Sequence, residues 1–332
     1  MDLILYFSPH LDDAVLSCVA KMLKEKREGK TLRVDSVFTE ATEKTTEKTT
    51  EKTTEKTSDN KSRWSKFSYQ DRRSEDRKAL NQLGAEVSHW QLLDAPFRSL
   101  VYRDWLGIVT RFEQKDGATR EEIKRRMWEV IEHKNPKEIL LPLGIGGHID
   151  HRLVFAAGLE LCHERNLWDR VLFYEDRPYA LIDGALGARF FSLGFQNHPW
   201  HLFLKIIPGY ICSLINFEMT KSQTTGSISR WRLALALVSN SIKERKSDKM
   251  LDLPLDLVSQ VTVARDEDLK EIANLIQLYG SQFKDLYLSE KYFLDKSLNY
   301  SEIIGSRPSS YCERYWKFSP PFRGSLLGPE NT

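Results

Sequence analysis

The chain has 332 residues, and 49 Lys and Arg face 47 Asp and Glu, for a net charge of +2. That length suits one large α/β domain with appendages or two domains, and the balanced charge argues against a nucleic-acid binder working through bulk charge. The four cysteines, Cys18, Cys162, Cys212 and Cys312, are scattered and form no CxxC pair, so neither a thiolate zinc knuckle nor a disulfide framework is expected.

The apolar run at 3–7 reads as a buried strand and lacks the basic and small-residue flanks of a signal peptide, which places the protein in the cytoplasm by expectation. Val15, Leu16, Val19, Ala20 and Leu23 share one face of a helix, and 33–39 reads as a second strand. Strand, helix and strand imply a parallel pair. Repeats of Glu-Lys-Thr-Thr then fill most of an expected disordered insertion over 40–62. The four-residue period stacks Glu over Glu and Lys over Lys, which disfavours a helix. Order returns near Trp64. A helix over 70–83 ends at Gly84, a strand covers 86–93, and a charged helix over 119–134 stops at Asn135-Pro136. A strand at 138–143 runs into Gly144-Ile145-Gly146-Gly147, a helix covers 151–165, and a strand at 171–174 leads into Glu175-Asp176-Arg177-Pro178-Tyr179.

This alternation predicts an α/β, Rossmann-like fold over 1–180, with a mostly parallel sheet flanked by helices. From 181 to 332 the pattern weakens. Helical patches at 230–245 and 266–280 suggest a less regular, α-rich C-terminal lobe or cap. The apolar run at 200–215 is shorter than the ~20 residues needed to span a bilayer and is broken by Lys205, Pro208 and Gly209. It reads as a buried core segment in preference to a membrane-surface patch, so membrane association is not favoured.

Two clusters carry the chemistry: Pro9-His10-Leu11-Asp12-Asp13 after the first strand, and His148-Ile149-Asp150-His151 after the fourth. Both fall at the carboxyl ends of strands, where open α/β sheets place their sites. A catalytic zinc site takes three protein ligands and keeps a position for water, whose pKa falls to about 7. His10, Asp13 and His151 can supply those ligands; two histidines and a carboxylate suit zinc and also ferrous iron. Asp12 is then the spare carboxylate, a candidate general base, and His148 the spare imidazole, a candidate oxyanion partner or general acid. Asp150, between the two histidines, is expected to orient an imidazole or cap the following helix.

The ordered pair of motifs resembles the PIG-L/LmbE-like N-acetylglucosaminyl deacetylases over roughly residues 1–180. The resemblance implies a Rossmann-like sheet with zinc at the strand ends. It also implies that His10, Asp13 and His151 are ligands, Asp12 is the base and His148 the acid or oxyanion partner. Arg72-Arg73-x-Glu75 looks like the family's Arg-x-x-Glu helix, which would turn Arg72 toward the sugar, and Asp94 would meet a sugar hydroxyl or cap a turn. Ala14 departs from the family's usual glutamate. The implied activity is hydrolysis of the acetamide of an N-acetylated amino sugar or its small-molecule conjugate, with no nucleic-acid partner. The alternatives are an amidase acting on another conjugate and a non-catalytic glycan-binding member of the same fold.

Overall fold

The computed structural model describes residues 2–41, 68–195, 198–217, 227–247, 256–287 and 289–319. The threonine-rich repeat from residue 42 onward lies outside them.

Strand β1 (Leu3–Ser8) enters helix α1 (Asp13–Arg27), and β2 (Thr31–Glu40) follows. Ile4, Leu5, Tyr6 and Phe7 are all buried, as befits a parallel strand covered on both faces. Helix α2 (Tyr69–Leu83) starts where the Ser68 hydroxyl accepts the Asp71 N–H, and it ends at Gly84, whose φ of +72° is the left-handed C-cap conformation. Strand β3 (Glu86–Leu93) leads through the short α3 (Ala95–Arg98) and α4 (Trp105–Thr110) to α5 (Gln114–Lys134). Helix α5 begins five residues before the periodicity suggests. There the buried Asp116 carboxylate accepts the Glu113 N–H at 2.7 Å and closes the first turn. Strand β4 (Glu138–Pro142), helix α6 (Ile149–Arg165) and strand β5 (Val171–Tyr174) complete the alternating part.

The strand order is β3-β2-β1-β4-β5, all parallel. Two more strands extend this sheet from the segment after residue 181. That segment contains α7 (Ala185–Ser192), α8 (Trp200–Asn216), α9 (Ser227–Ser247), β6 (Asp256–Val263), α10 (Leu269–Gln277), α11 (Gly280–Tyr287), α12 (Glu290–Ile303) and β7 (Cys312–Ser319). β7 pairs antiparallel with β5, and β6 antiparallel with β7 at the edge. The sheet therefore runs on across the expected division at 181. β7 escapes the sequence reading because its charged residues find their partners on α1 and just beyond the end of β5. Glu313 accepts the Ala20 and Lys21 N–H groups, and Arg314 pairs with Glu175 at 2.6 Å. β6 is an edge strand with no buried residue, so it shows little alternation.

The expectation for 200–215 also needs correction. The segment is helix α8, but only Phe203, Tyr210 and Leu214 are buried, while Trp200, Leu202 and Leu204 are exposed. Among the described residues no helix is long and apolar enough to cross a membrane.

Helix α6 lies close on β4: a Cβ on Gly158 would come within 2.5 Å of Leu141 Cδ1, and Leu141 is itself buried. Gly158→Val is expected to cost about 1–3 kcal/mol by overpacking, read as a lower urea midpoint. An unchanged midpoint would contradict this close approach.

Candidate metal and catalytic site

Four strand ends supply the site. After β1 the Ser8 hydroxyl bridges the bend, donating to the His10 carbonyl at 2.5 Å and accepting the Ala14 N–H at 2.9 Å. This turn brings His10 Nδ1 to 3.1 Å from Asp13 Oδ2, and the His10 N–H donates to the same oxygen at 2.8 Å. After β4 the chain passes Gly144, Gly146 and Gly147 with φ of +77°, +88° and +76°. A Cβ on Gly146 would sit 2.5 Å from the Tyr179 ring, so this close turn requires glycine. His148 then caps α6, its Nδ1 accepting the Asp150 N–H at 3.2 Å. One turn into α6, His151 Nε2 lies 3.2 Å from Asp13 Oδ2. β1 and β4 are neighbours from which the chain winds in opposite directions, so the two clusters meet at the topological switch point of the sheet.

The structure thus brings His10, Asp12, Asp13, His148, Asp150 and His151 into one buried group. The imidazole centroids of His10, His148 and His151 lie 4.8–5.4 Å apart. Two overlapping donor sets have ligand atoms within 4.8 Å of one another: His10, Asp13 and His151, and His10, Asp94, His148 and Asp150. Tetrahedral coordination at zinc–ligand distances near 2.1 Å separates donors by about 3.4 Å. The 3.1 and 3.2 Å spacings around Asp13 Oδ2 are close to that.

The surroundings discriminate between the sets. The second nitrogen of His151 meets Asp176 Oδ1 at 2.6 Å, and that of His10 meets Asp150 Oδ2 at 3.2 Å. Carboxylates in that position orient metal-binding imidazoles. In the second set the carboxylates are already engaged. Asp150 accepts from Arg98 at 2.7 Å and from the Ala95 N–H at 3.0 Å; Asp94 accepts the Tyr69 hydroxyl and faces Arg72 at 3.7 Å. The first set fits a divalent metal better.

The protonation pattern follows from burial and neighbours. Burial, and then the adjacent Asp13, raises the Asp12 carboxyl to about 6 against the pull of Arg72. Burial disfavours the Asp13 carboxylate too, but His151 and His10 outweigh it and hold Asp13 well below the usual range. Asp150 falls to about 2, because Arg98 and His10 overcome its burial. Burial would lower His151, yet Asp13 and Asp176 raise it to about 9. At His148, burial together with His10 and His151 outweighs the pull of Asp94 and Asp13 and holds the ring well below its ordinary value.

Arg72 is half-buried between two carboxylates, 3.6 Å from Asp12 and 3.7 Å from Asp94, and its guanidinium lies over the Tyr69 ring. Asp94 stands at the start of α3 but makes no side-chain cap hydrogen bond. Four residues next to the site were not singled out in the sequence. Asp176 follows β5 in a polar stretch that has no motif of its own. Arg98, on the four-residue α3, carries no sequence signal. Trp105 and Tyr179 stack 6.4 Å apart and meet His148 and His151, each at 5.8 Å between centroids.

The family model described as PIG-L: GlcNAc-PI de-N-acetylase matches residues 5–162. Residues 5–162 belong to the PIG-L family. The PIG-L match spans both clusters, while Asp176 and Tyr179 lie beyond it. No curated protein matches the sequence. Among solved structures, the zinc-inhibited form of teicoplanin deacetylase aligns at 19% identity and a TM-score of 0.60, over 97% of this chain and 100% of that one. The A40926 pseudoaglycone deacetylase aligns at 20% identity and a TM-score of 0.58, over 96% and 97%. At these identities the likeness is one of fold, and it extends through the segment after the PIG-L match.

Proposed function

We propose that the protein is a metal-dependent N-deacetylase that hydrolyses the acetamide of an N-acetylated amino sugar or its conjugate. His10, Asp13 and His151 hold the metal, for which zinc is the first choice and ferrous iron the second. The observation that carries this reading is the Asp13 carboxylate between imidazoles from two distant loops, each backed by a further carboxylate. Membership of residues 5–162 in a family described by de-N-acetylation supports the reaction class, and so does the shared fold with two deacetylases.

A bound divalent ion would polarise the acetamide carbonyl and lower the pKa of a water. Asp12 takes the proton from the attacking water and returns it to the amine nitrogen as the C–N bond breaks, a task suited to a carboxyl that titrates near 6. His148 donates to the developing oxyanion. Its Nδ1 already accepts a backbone N–H, so the neutral ring carries its hydrogen on Nε2. The same bond disfavours the alternative expectation that His148 is the general acid. Arg72 holds Asp12 and Asp94 in place, and Asp94 Oδ1, not the oxygen that takes the Tyr69 hydroxyl and faces Arg72, accepts from a sugar hydroxyl. Trp105 and Tyr179 form an apolar wall beside His148 and His151.

Asp176→Asn is expected to weaken metal binding about 10–100-fold while leaving the fold intact, because Asp176 orients the His151 ring. A metal titration with a competing chelator measures this, and unchanged affinity would remove Asp176 from the account. The activity is tested by incubating metal-loaded protein with a panel of N-acetylated sugar conjugates. The expected result is one acetate released per primary amine formed. Release of another acid would point to a different amide, and bound metal with no turnover on any member would favour a glycan-binding module.

A further inference from the structure

Helices α8 and α9 turn bulky apolar side chains outward. Trp200 is 42% exposed and Leu204 60%; Trp231 is 51% and Leu235 54%. On α9 the two exposed side chains lie one turn apart, on the same face. The inner side of α9 packs on α4, α7 and α8, and a Cβ on Gly147 would lie 3.5 Å from Leu237. Thus α9 touches the glycine loop of the site on one side and carries its exposed apolar ridge on the other.

The charge of this segment is one-sided in an otherwise balanced chain. Helices α8 and α9 carry Lys205, Arg230, Arg232, Lys243, Arg245 and Lys246 against one acid, Glu244, which is buried and paired with Arg152 and Arg189. Lys205 and Arg232 are exposed and stand next to Leu204 and Trp231. Tryptophan and leucine flanked by Lys and Arg is the composition of a surface lying in the headgroup region of a bilayer. A second copy of the chain fits less well, because a two-fold contact through this face would bring like charges together.

We propose that the outward sides of α8 and α9, two helices packed on each other, dock the protein peripherally on an anionic lipid surface. Trp200, Leu204, Trp231 and Leu235 enter the headgroup layer, and Lys205 and Arg232 meet lipid phosphates. The helices lie on the membrane and do not cross it.

The full chain is sedimented with vesicles of phosphatidylcholine alone and of phosphatidylcholine mixed with phosphatidylglycerol. The expected result is binding to the anionic vesicles, weakened by salt, with a blue shift of tryptophan emission. Leu204→Glu with Leu235→Glu is expected to abolish binding without lowering the melting temperature. Lys205→Gln and Arg232→Gln are expected to weaken it about fivefold per charge removed. Absence of binding at low salt, equal binding to both vesicle types, or retained binding by the glutamate variant would overturn the proposal. So would dimerisation without lipid that the glutamate variant abolishes.

Discussion

Asp12→Asn is expected to keep its metal and lose turnover by a factor on the order of 10²–10⁴. Asparagine preserves the shape of the side chain but cannot accept and return a proton. The substitution also removes the repulsion between two adjacent buried carboxylates, the cause that, after burial itself, raises Asp12 to about 6. The folded protein is therefore not expected to be weakened, and equilibrium unfolding should show the variant as stable as the parent. KM should change far less than kcat, since Asp12 acts on the proton and not on the sugar. Metal content and turnover measured on the same preparation separate the two effects. Retained turnover would remove Asp12 as the base, and metal lost together with turnover would reassign it as a ligand.

His151→Ala is expected to lose both metal and activity, with affinity falling by more than the ~100-fold that removal of an outer carboxylate causes. The variant has a side effect that follows from the structure. It leaves Asp176 buried with one of its two partners gone, the other being the Ile145 N–H at 2.9 Å. Breaking a buried pair by removing one side costs about 3–5 kcal/mol, so His151→Ala alone should also melt earlier. Combining it with Asp176→Asn removes the stranded charge. The double variant is expected to recover much of the stability and none of the metal binding. If the double variant binds metal as the parent does, His151 is not a ligand.

The parallel half of the fold was legible because its signals are local. β1 and β4 are short apolar runs, Gly84 and Asn135 mark helix ends, and β2 and β3 alternate with helical stretches. The two His–Asp clusters stood out because each directly follows such a strand, and the crossing rules of parallel sheets then place them side by side. What the chain hid depends on distant partners. β7 contains Glu313 and Arg314, charges that suit a buried strand only because the α1 backbone and Glu175 receive them. Asp176 and Arg98 belong to the site only through His151 and Asp150, residues 25 and 52 positions away. Helix α8 reads as core from its composition, and only the packing of its neighbours reveals that half of it faces outward.

The account rests on two loops gripping one cation. Anomalous diffraction at the zinc edge, from crystals grown with zinc, tests this directly. The predicted result is a single strong peak about 2.0–2.2 Å from an imidazole nitrogen of His10, a carboxylate oxygen of Asp13 and an imidazole nitrogen of His151. A peak bonded instead to Asp94, His148 and Asp150, or no peak within reach of both His10 and His151, would contradict it.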